Sequence, residues 1–228
     1  MAGYSGNRQA LGRPPAPEGF VFRPPPKLPG FVEFGEAAFR AGAAELKTPR
    51  REARLLGSLV YRPTVFRRNE IALVAACAWR SAAKADDLTA LKRAKREIDQ
   101  RLIGEASELT AALIRQLRGE PAADAITCVP CGHSRRPDCF GKRLAQGVAE
   151  LLGLPFVQVF ADRFCSGVSH PKEYSRLPPL KQIADPVASM ILIDDLATSG
   201  WHVEEALTAL RKLGASASAF LWIAGTVA

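Results

Sequence analysis

No apolar stretch in this chain is long enough to cross a bilayer. The longest, Ile71 to Trp79, falls well short of the roughly 20 residues a spanning helix needs. Nor is there an apolar leader: residues 1–30 are rich in proline and glycine, which argues against a signal peptide and points to the cytoplasm. The five cysteines are an odd number, which argues against a disulfide framework and fits a reducing compartment. Cys128-x-x-Cys131, with His133 and Cys139 nearby, has the ingredients of a zinc site. Cys128, however, falls inside a strand pattern, and no second close pair follows, so no zinc is expected. There is no internal repeat and no coiled-coil heptad. Aromatic residues make up only 7% of the chain, and they form no stacking platform of the kind that reads single-stranded nucleic acid.

The rest of the composition is that of a globular protein. Apolar residues make up 47% and charged residues 24% of 228, enough to bury a sizeable core. The net charge of +8 attracts polyanions. Part of it gathers at Arg50, Arg51, Arg54, Arg67 and Arg68, and again at Lys92, Arg93, Lys95 and Arg96. With no base-reading motif beside these clusters, a phosphate-rich small ligand accounts for them better than nucleic acid does.

The most informative segment is residues 190–202. The apolar run Met190–Ile193 suits a parallel strand buried on both faces, and Asp194 and Asp195 stand where such a strand emerges at its carboxyl end. Beyond Leu196 and Ala197, the small residues Thr198, Ser199 and Gly200 lead through Trp201 and His202 into a helix. Its apolar stripe is Val203, Ala206, Leu207, Leu210 and Leu213, closed by Gly214. Free amides at a helix start, helped by the dipole, bind phosphate, and carboxylates accept hydrogen bonds from vicinal ribose hydroxyls. Sugar and phosphate would thus be recognised by adjacent parts of one segment.

Ile191-Leu192-Ile193-Asp194-Asp195-Leu196-Ala197-Thr198-Ser199-Gly200 resembles the phosphoribosyl pyrophosphate (PRPP) signature of type I phosphoribosyltransferases, and within them is most similar to ComF-like proteins. The family pattern has a further threonine where this chain has His202, and the cysteine-rich ribbon that often precedes ComF-like domains is missing. The resemblance covers roughly residues 98–228. It implies an α/β fold with a central parallel sheet flanked by helices, and the residues ahead of it read from their own pattern as a mainly helical extension.

It also implies roles for individual residues. Asp194 and Asp195 would hold the ribose hydroxyls and a magnesium ion, directly or through water. Leu196 to His202 would form the 5′-phosphate loop. Cys131, Gly132, His133, Ser134, Arg135 and Arg136, following the strand Ala125–Pro130, would bind pyrophosphate. Between Ala161 and Ser189 lies a long polar stretch in which Lys172 and Arg176, with His170, would close over the pyrophosphate. The implied activity is phosphoribosyl transfer to an acceptor the sequence does not name. The alternative is a non-catalytic PRPP- or nucleotide-binding protein of ComF type, linked to DNA uptake or nucleic-acid metabolism. A homodimer is left open.

The remaining elements are read from pattern alone. A helix is expected over Phe140–Leu154 and a strand over Phe156–Phe160, with a last strand over Ala217–Ala224. Residues 1–50 read as a proline-rich arm unable to fold by itself. Residues 51–97 read as a helical extension and candidate acceptor hood ahead of the domain at 98–228. Within this region 64–82 is expected to be helical, as is 86–118, capped at Asp86 or Asp87 and bent or divided at Gly104.

Overall fold

The computed structural model describes residues 59–79, 84–130, 138–163, 178–197 and 199–226. In chain order the elements are β1 (Leu59–Val60), β2 (Thr64–Arg68), β3 (Ile71–Trp79), α1 (Lys84–Glu97), α2 (Gln100–Arg118), β4 (Ala125–Cys128), α3 (Phe140–Leu152), β5 (Ser189–Ala197), α4 (Trp201–Lys212) and β6 (Ser216–Thr226). They form an α/β fold whose central sheet is flanked by helices, as expected. Its six strands run β1-β3-β6-β5-β4, with β2 also on β3. The pairs β4–β5, β5–β6 and β6–β3 are parallel, and the hairpin partners β1 and β2 lie antiparallel to β3.

Two apolar layers sandwich the sheet. Ile191 and Ile193 of β5 face α2 and α3, together with Leu113, Ile114, Leu144 and Val148. Met190 and Leu192 face α4, together with Val203, Leu207 and Leu210. This alternation on one fully buried strand explains why Met190–Ile193 carries no polar residue. Leu213, assigned by pattern to the α4 stripe, is 41% exposed because the helix ends there and Gly214 turns the chain away at φ +93°.

The helical expectation for 64–82 is corrected. Residues 64–68 and 71–79 are strands joined by a tight turn at Asn69, where φ is +52°. An apolar run of this length reads as a helix or as a strand, and alanine biases the reading toward helix. Here β3 lies buried inside the sheet between β6 and the hairpin, and tertiary context overrides propensity. The division of 86–118 also differs. Gly104 lies inside α2, and the break falls at Ile98, which adopts φ +55°. Asp99 is the cap there, its side chain accepting from the Leu102 amide at 3.0 Å. Asp86 and Asp87 are internal to α1. Of the strand expected at Phe156–Phe160, only isolated bridges form, Phe156 to Ile126 and Phe160 to Gln182. Helix α3 closes as its Gly153 predicted, with that residue left-handed at φ +65°.

Candidate functional site

The layering creates a crevice. β4 leads into α3 on one face of the sheet and β5 leads into α4 on the other, so the chain diverges between the carboxyl ends of these neighbouring strands. That divergence is where open α/β sheets bind ligands. β4 stops its pairing at Cys128 opposite Ile193, with a last bond from the Val129 amide to the Ile193 carbonyl. β5 runs on to Ala197, still paired with Ala224 of β6. Asp194 to Ala197 therefore overhang β4 on the crevice side. Leu196 and Ala197, expected in the phosphate loop, are part of this overhanging strand, and Ala197 is buried.

The two aspartates divide their roles, because neighbours in a strand project to opposite faces. Asp194 is half-buried, and its Oδ1 accepts the Asp195 amide at 2.9 Å, a donor that β4 no longer reaches. Asp195 is 7% exposed and turns toward α1 and α3, where Lys95 Nζ lies 2.7 Å from its Oδ2. A Cβ placed on Gly141, in the first turn of α3, would stand 3.8 Å from the same oxygen. Asp195 is thus neutralised by a lysine and lies against the first turn of α3, where the helix dipole favours a negative charge. Asp194 lies in the overhang, and Asp195 is buried in an ion pair with Lys95.

On the other side of the overhang, Ser199 is exposed and Gly200 is buried with φ +73°, a left-handed conformation suited to glycine. Trp201 and His202 open α4 with their rings stacked, centroids 3.6 Å apart. His202 Nδ1 is 3.5 Å from Nη2 of Arg163, a residue only 5% exposed that also donates to the Pro178 carbonyl at 3.1 Å and grips Glu205 of α4 with both terminal nitrogens. Where the family pattern has a threonine, this chain has an imidazole tied into an Arg163–Glu205 cluster. Arg68, at the end of β2, donates through Nη1 to the Ser199 carbonyl at 2.9 Å and through Nε to Glu204, which also accepts from Asn69.

Thr198, Cys131, Gly132, His133, Ser134, Arg135, Arg136, Lys172 and Arg176 lie outside the described residues, as do His170 and the arm at 1–50. Beyond residues 131–136, Asp138 binds Arg143 through both carboxylate oxygens at 2.7 and 2.8 Å, and this contact raises the Arg143 pKa.

Sequence reading missed Lys95, Arg68, Arg163, Glu204 and Glu205. For Lys95 a signal existed. It lies seven residues after Leu88 and four after Leu91, both packed into the core, so it occupies the buried stripe of α1 while Lys92, Arg93 and Arg96 point outward. The other four carry no such periodic mark.

No family model and no curated protein matches the chain. Among solved structures it is similar to orotate phosphoribosyltransferase from Aeropyrum pernix, at 16% identity over 74% of this chain and 76% of that one, with a TM-score of 0.34. It is also similar to adenine phosphoribosyltransferase from Thermoanaerobacter pseudethanolicus, at 16% identity over 56% and 83% of the two chains, with a TM-score of 0.37. A third is the Helicobacter pylori xanthine-guanine-hypoxanthine phosphoribosyltransferase, at 15% identity over 56% and 88%, with a TM-score of 0.34. Likeness at this level carries no argument about chemistry, which rests on the chain's own residues.

Proposed function

We propose that the chain binds PRPP, or a closely related phosphorylated ribose, in the β4–β5 crevice and transfers its 5-phosphoribosyl group to an acceptor. One observation carries this reading: the carboxylate-then-small-loop order of residues 194–202 falls at the topological switch point, where the strand overhangs and a helix begins. Asp194 accepts the ribose hydroxyls, and the loop from Thr198 to His202 receives the 5′-phosphate. Residues 131–136 and the basic residues Lys172 and Arg176 take the pyrophosphate. α1, which brings Lys95 to Asp195, forms part of the hood over the sugar.

Magnesium fits this site only as a companion of the ligand. Among the described residues no group of three or more acidic, histidine or cysteine side chains could cage an ion, and Asp195 is already engaged with Lys95. A carboxylate plus substrate phosphates is the usual way such an ion is held, leaving Asp194, directly or through water, as its protein contact. When bound, the ion supplies positive charge to the leaving pyrophosphate. The protein's own donors around the phosphates do the same, and their fixed placement stabilises the charge separation as the bond from C1 lengthens.

Incubating the full chain with PRPP, magnesium and a panel of purine and pyrimidine bases, and measuring pyrophosphate, tests the proposal. Base-dependent release supports transfer. Tight PRPP binding without release supports the non-catalytic ComF-type reading, and neither binding nor release contradicts both.

A further inference from the structure

Among the described residues, a cation bound to the backbone of the phosphate loop comes from outside the signature. Arg68 ends β2, more than a hundred residues upstream, and its guanidinium spans two groups at the start of α4: the backbone carbonyl of Ser199 and the carboxylate of Glu204. Its side chain is 34% exposed and that of Glu204 is 21%. Asn69, in the hairpin turn with φ +52°, binds the other oxygen of Glu204, so two consecutive residues clamp the first turn of the helix.

Two physical consequences follow from this clamp. A trans peptide is planar, and its C=O and N–H point in opposite directions. With the Ser199 carbonyl held on Arg68, the Gly200 N–H is turned away from the guanidinium. The left-handed Gly200 backbone then carries the chain into α4, whose first amides point out of the helix end. The second consequence is electrostatic. Glu204 in the first turn suits the helix dipole, but its negative charge opposes any anion arriving at the same amides. The Arg68 guanidinium cancels that charge within hydrogen-bonding distance.

We propose that Arg68 is a positioning residue of the 5′-phosphate subsite: it orients the Ser199–Gly200 peptide so that its N–H meets the phosphate, and it neutralises Glu204 so that the helix start accepts a dianion. This rests on the PRPP reading of the crevice and adds to it a residue from the N-terminal hairpin. A bare fastening of hairpin to helix would make the loss of either Arg68 or Glu204 loosen the start of α4, by different amounts because Arg68 also holds the Ser199 carbonyl and Glu204 also holds Asn69. The positioning role makes them opposite. Arg68→Met leaves the peptide unheld and Glu204 uncompensated, whereas Glu204→Gln keeps an acceptor for Arg68 and removes the opposing charge.

The test is calorimetric titration of the full-length protein and of the Arg68→Met, Arg68→Lys and Glu204→Gln variants. Three probes are used: PRPP with magnesium, ribose 5-phosphate, and inorganic pyrophosphate with magnesium. The expected result is at least a tenfold loss of ribose 5-phosphate affinity in Arg68→Met with pyrophosphate affinity within twofold of the parent. Arg68→Lys should recover part of the loss, and Glu204→Gln should bind ribose 5-phosphate as tightly as the parent or more tightly. Weakened ribose 5-phosphate binding in Glu204→Gln as well as in Arg68→Met, or equal loss of both probes, would overturn the positioning role while leaving the PRPP reading intact. A parent protein that binds none of the three would overturn both. Thermal unfolding of each variant keeps these outcomes separate from loss of fold.

Discussion

The stretch from β4 to β6 and the stretch from β1 to α1 build one sheet and one site, yet they differ in how they do it. The first supplies the crevice through backbone geometry: an overhanging strand, a left-handed glycine and a helix start. The second supplies side chains that reach into that geometry, Lys95 to the second aspartate and Arg68 to the loop carbonyl. A backbone-built subsite leaves a local pattern of small, apolar and acidic residues. A side-chain contribution from another element leaves only a single residue at the right place in space.

The comparison is tested most severely at Lys95. Lys95→Met leaves Asp195 charged and largely desolvated, and losing one partner of a buried pair costs about 3–5 kcal/mol when both are fully buried. Because Lys95 retains 25% side-chain exposure, the lower end of about 3 kcal/mol is expected in urea unfolding. Asp194→Asn, by contrast, keeps an oxygen to accept the Asp195 amide and should cost about 1 kcal/mol or less. Equal destabilisation by the two would erase the division between the aspartates.

Gly200→Val comes next. A β-branched residue held at φ +73° is strained by about 1–2 kcal/mol, and it also displaces the peptide that Arg68 orients. Affinity for PRPP should fall by about a hundredfold, or about 2.7 kcal/mol. Binding unchanged by calorimetry would separate the loop from the phosphate. The smallest expected effect is on the helix pair behind the crevice. A Cβ at Gly147 of α3 would lie 2.5 Å from Ser107 Oγ and 3.1 Å from its Cβ, so Gly147→Ala forces α2 and α3 apart at about 1–2 kcal/mol. Adding Ser107→Gly should recover most of that stability in thermal melts, with no change in ligand affinity.

These contrasts also explain what the sequence made legible. β4, α3, β5, α4 and β6 were readable because burial on both faces, helical stripes and closing glycines each leave a periodic mark. The Ile71–Trp79 strand was misread because a buried run of alanines and aliphatics has no period to separate strand from helix. Its pairing with β6 depends on residues about 145 positions away, a separation read from the match of Val74 with Phe220 and Ala75 with Leu221. At the candidate site, the end of the strand near Asp194 and the turn at Gly200 follow from local order. The inward turn of Asp195 follows from strand alternation once the strand is known to extend past it, and the Arg163 cluster, built from a loop residue and one helix face, had no local mark at all.

The most direct measurement is a calorimetric titration of the full-length protein with PRPP and magnesium, alongside Asp194→Asn and Asp195→Asn. The account predicts saturable binding at one site per chain. Asp194→Asn should lose affinity by about tenfold or more, as removal of a charged acceptor at about 1.5–3 kcal/mol per bond requires, while its stability stays within about 1 kcal/mol of the parent. Absence of PRPP binding by the parent, or full affinity in Asp194→Asn, would contradict the assignment of the β4–β5 crevice as a ribose-phosphate site.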